Sequence, residues 1–124
     1  MNFLEKLNKS SAKLLILVNP NAPTGILLTA DYLAKIADNF SGLLLIDEAY
    51  VDFSEEASWS SAVAEFPNLL VLQTFSKSWG LAGVRCGVAL LEYHIGVLFG
   101  GSVWALDAGG HVRRQRPHQS ARQS

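Results

Sequence analysis

The sequence has almost no cysteine and no long hydrophobic run. Cys86 is the only cysteine in 124 residues, so an internal disulfide is impossible, as is common in a reducing compartment. No apolar run approaches the ~20 residues that a membrane-spanning helix needs. Residues 1–11 lack the apolar stretch of a secretory signal. We therefore expect a cytoplasmic protein without a membrane partner.

No acidic residue lies after Asp107, and the histidines do not have the spacing of metal ligands. All eleven acids lie at or before Asp107, whereas four of the ten basic residues lie in the last dozen positions. These arginines have no interleaved aromatic residues, so we expect no nucleic-acid partner. The histidines are too scattered for a metal site. We predict a folded domain over residues 1–91, then an irregular segment and a basic, disordered tail over residues 92–124.

Apolar residues are plentiful, at 49% of the chain against 17% charged, and they occur in short unbroken runs. Such runs are typical of strands buried on both faces of a parallel sheet. We predict strands at residues 14–18, 43–46, 69–72 and 84–91. A helix capped by Thr29 or Asp31 separates the first two, and a second helix is predicted near residues 58–65. Alternating strands and helices indicate an α/β fold with parallel pairing.

Polar side chains follow each of the first three predicted strands at the point where the strand ends. Asn21 follows the first strand, Asp47 and Tyr50 follow the second, and Ser76 and Lys77 follow the third. Ligands bind at the carboxyl ends of the strands in sheets of this kind. We therefore expect these side chains to share one ligand site.

The chemistry of these residues suits a carbonyl cofactor. A lysine at a strand end, such as Lys77, can form a Schiff base with pyridoxal phosphate. Ser76 and Arg85 can bind a phosphate, the serine through its hydroxyl and the arginine through charge-assisted hydrogen bonds. Asp47 can keep a pyridine nitrogen protonated, and Tyr50 can donate to a phenolic oxygen. Each residue alone is more commonly a surface, capping or packing residue, and only their joint position favours a site.

Three motifs resemble the pyridoxal-phosphate aminotransferases of fold type I, in particular the histidinol-phosphate aminotransferase group. The motifs are Asn19-Pro20-Asn21-Ala22-Pro23-Thr24-Gly25, Asp47-Glu48-Ala49-Tyr50-Val51-Asp52-Phe53, and Thr74-Phe75-Ser76-Lys77 with Ala82-Gly83-Val84-Arg85-Cys86-Gly87. The resemblance covers about residues 14–90. It implies part of the large cofactor-binding domain, a mostly parallel sheet flanked by helices with its last strand antiparallel.

The resemblance also implies roles by position. Lys77 would bind pyridoxal 5′-phosphate covalently and later move the proton at the alpha carbon of the substrate. Asp47 would pair with the pyridine nitrogen and Tyr50 with the ring oxygen. Ala49 would lie against the ring.

Phosphate binding and a second contact to the ring oxygen complete the implied site. Ser76 and Arg85 would hold the phosphate. The family usually has an asparagine at the position of Ala22, and Asn21 lies one residue earlier. We keep Asn21 as a candidate cofactor-binding residue. Losing one such hydrogen bond costs about 1 kcal/mol, so the change at Ala22 alters the cofactor's environment without abolishing binding.

The implied activity is amino-group transfer from an L-amino acid, commonly glutamate, to an oxo acceptor such as imidazole acetol phosphate in histidine biosynthesis. Two alternatives remain open. The first is a related decarboxylase of a phosphorylated amino acid, which uses the same cofactor. The second is a catalytically inactive fragment, because the family's subunits are much longer and their phosphate-binding loop precedes the region that this chain matches. The resemblance also implies a homodimer. We expect little or no turnover from the chain alone.

Overall fold

A computed structural model describes residues 3–92, 94–99, 102–106 and 111–115. The helices and strands are α1 (Phe3–Lys9), β1 (Leu14–Val18), α2 (Ala30–Asn39), β2 (Leu43–Asp47), β3 (Leu69–Thr74), β4 (Cys86–Leu91), β5 (His94–Phe99), β6 (Ser102–Leu106) and β7 (Val112–Gln115). The seven strands form one sheet in the order of the chain. Within the described ranges, no helix has the length and apolarity to cross a membrane.

The first three strands run parallel, as the alternation of strands and helices predicts. Val18 at the end of β1 pairs with Asp47 at the end of β2, and Asp47 pairs in turn with Leu72 of β3. β4 then runs antiparallel to β3, as the family resemblance implies. The carboxyl ends of β1, β2 and β3 therefore meet at one edge of the sheet.

The hydrophobic core lies between α2 and one face of the parallel strands. Thr29 caps α2, and its hydroxyl oxygen accepts a hydrogen bond from the Tyr32 N–H at 3.4 Å. Leu33 and Ile36 share one side of the helix because they are three residues apart. The fully buried side chains of the core are Leu33, Ile36, Leu44, Ile46, Leu69 and Val71. Burying each one stabilises the fold by about 1.5–3 kcal/mol.

The opposite face of the sheet is apolar and exposed. Ile16 keeps 57% of its surface accessible, Leu14 48% and Leu43 38%. These residues alternate along β1 and β2 with the core residues, because successive side chains of a strand point to opposite faces. The unbroken apolar runs predict burial on both faces, and that prediction is wrong for this face of the described chain.

The segment after Leu91 differs from its prediction. Residues 94–99, 102–106 and 112–115 form antiparallel strands, so the prediction of an irregular segment is wrong for them. Leu91 pairs with His94, and two-residue connections of this kind favour a hairpin. The Gly100–Gly101 pair between β5 and β6 is a hairpin signal that the sequence analysis missed. Residues 116–124, the end of the predicted disordered tail, lie outside the described residues.

Two smaller predictions also need correction. The segment predicted as a second helix forms a 3-10 helix, Trp59–Ala64, capped by Ser58. β4 begins at Cys86 rather than at residue 84, because Ala82–Val84 forms another short 3-10 helix. Arg85 ends that helix with a φ of 53°, a left-handed conformation that turns the chain into β4.

Candidate cofactor site

Asp47 lies at the end of β2, and its carboxylate is fixed by the backbone that follows. Its Oδ1 accepts a hydrogen bond from the Ala49 N–H at 3.0 Å. Its backbone carbonyl accepts another from the Asn19 N–H at 2.9 Å, so the β1 end also holds it. The side chain is half-buried, and its Oδ2 has no partner among the described residues. One carboxylate oxygen is therefore available to accept a hydrogen bond from a ligand.

Lys77 and Tyr50 meet although they follow different strands. The Lys77 Nζ lies over the Tyr50 ring, 5.2 Å from its centroid, at a distance typical of a cation–π contact. Tyr50 in turn packs against Phe53 with 6.3 Å between ring centroids. Lys77 is exposed, and in the described part of the chain its ammonium has no carboxylate partner. The Lys77 amine therefore lies near the end of β2, and no acidic side chain of the described residues pairs with it.

The loop that carries Lys77 is folded on itself and anchored to the segment after β2. The Leu81 N–H donates to the Phe75 carbonyl at 3.0 Å. The rings of Phe75 and Trp79 contact edge to face, with centroids 6.1 Å apart. The Ser78 hydroxyl donates a hydrogen bond to the Asp52 carboxylate. Ser78 directly follows Lys77, and Asp52 lies two residues after Tyr50. These contacts limit the positions that the lysine can occupy.

Ser76 and Arg85, the residues predicted to bind phosphate, lie at the two ends of this loop. The Ser76 N–H donates to the Thr74 hydroxyl at 3.2 Å, and the serine hydroxyl has no partner among the described residues. Arg85 is exposed and has no acidic partner among residues whose structure is described. No side-chain hydrogen bond within the described ranges joins Arg85 to Ser76. Both side chains are available to an anion.

Asn21 faces the same cavity as Tyr50. The cavity measures about 700 Å³, and its lining includes Asn21, Ala22, Tyr50 and Phe53 but not Asp47, Ser76, Lys77 or Arg85. The Asn21 Oδ1 accepts a hydrogen bond from the Thr24 hydroxyl at 2.7 Å. The side-chain amide nitrogen of Asn21 therefore remains free to donate. Asn21 and Tyr50 can approach one ligand from two loops.

Glu48 is a residue of this region that the sequence analysis missed. Its side chain is 3% exposed, although it lies directly between Asp47 and Ala49. The signal was present in the sequence, because Leu44, Ile46 and Glu48 alternate and so share the buried face of β2. A carboxylate at a core position needs hydrogen-bond partners. Glu48 obtains them from Ser58, Trp59 and Gln73.

Comparison with known proteins gives matches to aminotransferases. The family profile described as aminotransferase class I and II matches residues 1–97. A histidinol-phosphate aminotransferase of Flavobacterium johnsoniae is 47% identical over 78 residues, which are 63% of this chain and 22% of that protein.

Solved structures are similar over the same region. The histidinol-phosphate aminotransferase of Sinorhizobium meliloti in complex with pyridoxal-5′-phosphate has a TM-score of 0.64 and 32% identity, covering 71% of this chain and 25% of its own. The L-threonine-O-3-phosphate decarboxylase of Porphyromonas gingivalis has a TM-score of 0.62 and 26% identity, covering 66% of this chain and 26% of its own. The chain spans about a quarter of the length of these relatives.

Proposed function

The chain belongs to the class I and II aminotransferase family, and on that premise we propose that it binds pyridoxal 5′-phosphate for amino-group transfer. The proposed reaction is that of a histidinol-phosphate aminotransferase, in which an amino group moves between an L-amino acid such as glutamate and an oxo-phosphate acceptor. The relative from Flavobacterium johnsoniae, named as such an enzyme, supports this choice. The substrates are small amino acids and oxo acids.

The observation that carries the proposal is the contact between Lys77 and Tyr50. The Lys77 Nζ lies 5.2 Å from the Tyr50 ring centroid, at the edge of the sheet where Asp47 ends β2. A nucleophilic amine, a phenol and a carboxylate thus come from the ends of two adjacent strands.

The uncommitted polar groups of the site fit the chemistry of pyridoxal phosphate. The Lys77 amine suits the aldehyde, and the free Oδ2 of Asp47 suits the ring nitrogen. The Tyr50 hydroxyl suits the phenolic oxygen, and it donates to no described residue. Ser76 and Arg85 suit the phosphate. The side chains of Lys77, Asp47, Tyr50, Ser76 and Arg85 are thus complementary to the groups on this cofactor.

When bound, pyridoxal phosphate supplies an electron sink for negative charge at the alpha carbon of an amino acid. In the proposed reaction, Asp47 favours a proton on the ring nitrogen by accepting its hydrogen bond at Oδ2, while the Ala49 N–H keeps Oδ1 in place. Lys77 would hold the cofactor covalently, and its Nζ would be the group that moves the proton at the alpha carbon.

The remaining residues hold the cofactor in position. Tyr50 donates its hydroxyl hydrogen to the ring oxygen, and Asn21 is the second donor to the same atom through its free amide nitrogen. Ala49 packs against the ring face. Ser76 and Arg85 bind the phosphate through a hydroxyl and a charged guanidinium.

The test is covalent trapping of the cofactor on the 124-residue chain. The chain is mixed with pyridoxal phosphate and reduced with borohydride, and the modified peptide is mapped by mass spectrometry. We expect label on Lys77 alone, lost in Lys77→Arg and retained in Lys35→Arg, which changes an exposed lysine of α2. Label scattered over surface lysines, or no label, would contradict the proposed site.

A second candidate function is decarboxylation of a phosphorylated amino acid. The similarity to L-threonine-O-3-phosphate decarboxylase favours it, because the cofactor chemistry up to the carbanion is shared. The cofactor-loaded chain is given glutamate with an oxo-phosphate acceptor, or O-phosphothreonine alone. Formation of 2-oxoglutarate supports the transferase, and release of carbon dioxide supports the decarboxylase. Absence of both products supports the inactive fragment.

We further propose a homodimer. The exposed apolar residues Leu14, Ile16 and Leu43 support self-association of this chain. Sedimentation equilibrium tests the assembly directly. A monomer at all accessible concentrations would contradict a dimer without affecting the cofactor proposal.

A further inference from the structure

Glu48 carries a buried carboxylate and lies in the chain segment that supplies Asp47 and Ala49 to the proposed cofactor site. It lies between Asp47 and Ala49, yet only 3% of its surface is exposed. Its backbone N–H donates to the Leu72 carbonyl at 2.8 Å, which continues the pairing of β2 with β3 by one residue. Alternation along the strand places Glu48 on the core side and Asp47 on the other side. The residue therefore takes no direct part in the proposed cofactor contacts.

Three donors converge on the Glu48 carboxylate. The Ser58 hydroxyl donates to Oε2 at 2.6 Å, and the Gln73 side-chain amide donates to the same oxygen at 2.9 Å. The Trp59 N–H donates to Oε1 at 2.6 Å. Both oxygens are engaged, so the carboxylate cannot rotate or shift without losing a hydrogen bond. A buried charge is tolerated only when it is satisfied in this way.

The network joins the two strands that supply the proposed catalytic groups. Gln73 belongs to β3, four residues before Lys77, whereas Glu48 directly follows Asp47 at the end of β2. Ser58 and Trp59 lie at the start of the 3-10 helix beside these strands, and they connect that helix to the same carboxylate. A change at the carboxylate is thus transmitted both to Asp47 and to the start of the Lys77 loop.

We propose that Glu48 is a positioning residue that sets the placement of Asp47 relative to Lys77. The inference rests on the proposed function, since it concerns the same cofactor site. Its physical basis is geometric: one rigid, fully hydrogen-bonded carboxylate spans the ends of β2 and β3. Without it, the backbone pairing at the strand ends still forms but no buried side chain fixes the spacing.

The variant Glu48→Gln tests this idea with almost no change in volume. A glutamine has one acceptor oxygen where the glutamate has two. Its amide nitrogen must therefore face a donor, either the Gln73 side-chain amide or the Trp59 N–H. The double variant E48Q/Q73E exchanges donor and acceptor across the same contact and restores complementarity. Glu65→Gln is the matched control, because Glu65 is exposed and its carboxylate has no partner among the described residues.

The experiment measures pyridoxal phosphate affinity, borohydride labelling of Lys77 and the pH midpoint of the bound cofactor's absorbance on the full chain. We expect E48Q to bind about tenfold more weakly, because a displaced Asp47 would lose its charged hydrogen bond to the cofactor. We also expect its absorbance midpoint to move, because that midpoint reports the protons shared between Lys77, the cofactor and Asp47. The double variant should return to within about threefold of wild type, and E65Q should match wild type.

The outcomes separate this inference from the proposed function. Wild-type chain without label on Lys77 would overturn the proposed function and this inference with it. Wild-type label with an E48Q affinity and midpoint equal to wild type would overturn the inference alone. If E48Q does not fold by circular dichroism, Ser58→Ala takes its place, since it removes one donor to the carboxylate together with the Ser58 cap of the 3-10 helix. An unchanged midpoint in folded S58A would then overturn the positioning role.

Discussion

The ammonium of Lys77 lies 5.2 Å from the centroid of the Tyr50 ring. Tyr50 follows β2 and Lys77 follows β3, and the parallel pairing of these strands brings their ends together. The contact holds an exposed lysine over an aromatic face instead of pairing it with an acid. A cofactor with an aldehyde and a phenolic oxygen can therefore meet both residues at once.

Tyr50→Phe tests the hydroxyl without removing the ring. The phenylalanine keeps the aromatic face under Lys77 but loses the proposed hydrogen bond to the cofactor, which is worth about 1 kcal/mol. We expect the dissociation constant for pyridoxal phosphate, measured by absorbance titration, to rise about fivefold. Tyr32→Phe in α2 is the control and should bind as wild type does. Equal affinities of the two variants would remove Tyr50 from the site.

Asp47→Asn tests the charge opposite the ring nitrogen. The asparagine oxygen can still accept from the Ala49 N–H, so the local backbone is retained. Its amide nitrogen, however, would face the ring nitrogen with a donor. Because hydrogen bonds to charged groups contribute about 1.5–3 kcal/mol, we expect at least a tenfold loss of cofactor affinity. Asp38→Asn on the exposed surface of α2 is the control, and similar affinities for both variants would contradict the role.

Asn68 is expected to stabilise the fold rather than the site. Its side-chain amide donates to the carbonyls of Ala37, Phe40 and Gly42 at 3.2, 2.8 and 3.2 Å. Asn68→Ala leaves carbonyls near the end of α2 unpaired, and we expect the free energy of unfolding in urea to fall by about 1–3 kcal/mol. Asn39→Ala removes one exposed hydrogen bond and should cost less. Equal losses would argue against the importance of the Asn68 contacts.

A side chain at position 42 in place of Gly42 is expected to destabilise the fold. A Cβ there would lie 2.6 Å from the Lys13 carbonyl oxygen and 2.6 Å from the Phe40 ring. Gly42→Ala should therefore lower the melting temperature, with a cost of about 1–3 kcal/mol from overpacking. Gly83→Ala is the control, because nothing lies within 4 Å of its added Cβ. Comparable melting temperatures for the two variants would contradict the close approach.

Local patterns explain which parts of the fold were predictable. The apolar runs predict strands at residues 14–18, 43–46 and 69–72, and the structure confirms them with small changes at the ends. The residues of α2 follow from helical spacing and a Thr29 cap, which are also local signals. The roles of the site residues stay predictions until cofactor binding is measured.

The three strands after Leu91 were missed because each depends on a neighbour. β5 forms on the edge of β4, and β6 forms on the edge of β5. The alternation of apolar and polar residues in these strands is weak, so pairing with a neighbouring strand decides their structure.

The sequence by itself determined the family, the parallel strands and the residue types of the candidate site, because motifs and hydrophobic period are read along the chain. Tertiary structure alone decided that Lys77 meets Tyr50, that one face of the sheet stays exposed, and which groups donate to the buried Glu48 carboxylate. The partners of Glu48 lie 10 to 25 residues away in the chain. Contacts over such separations depend on how the strands pack, which no local pattern specifies.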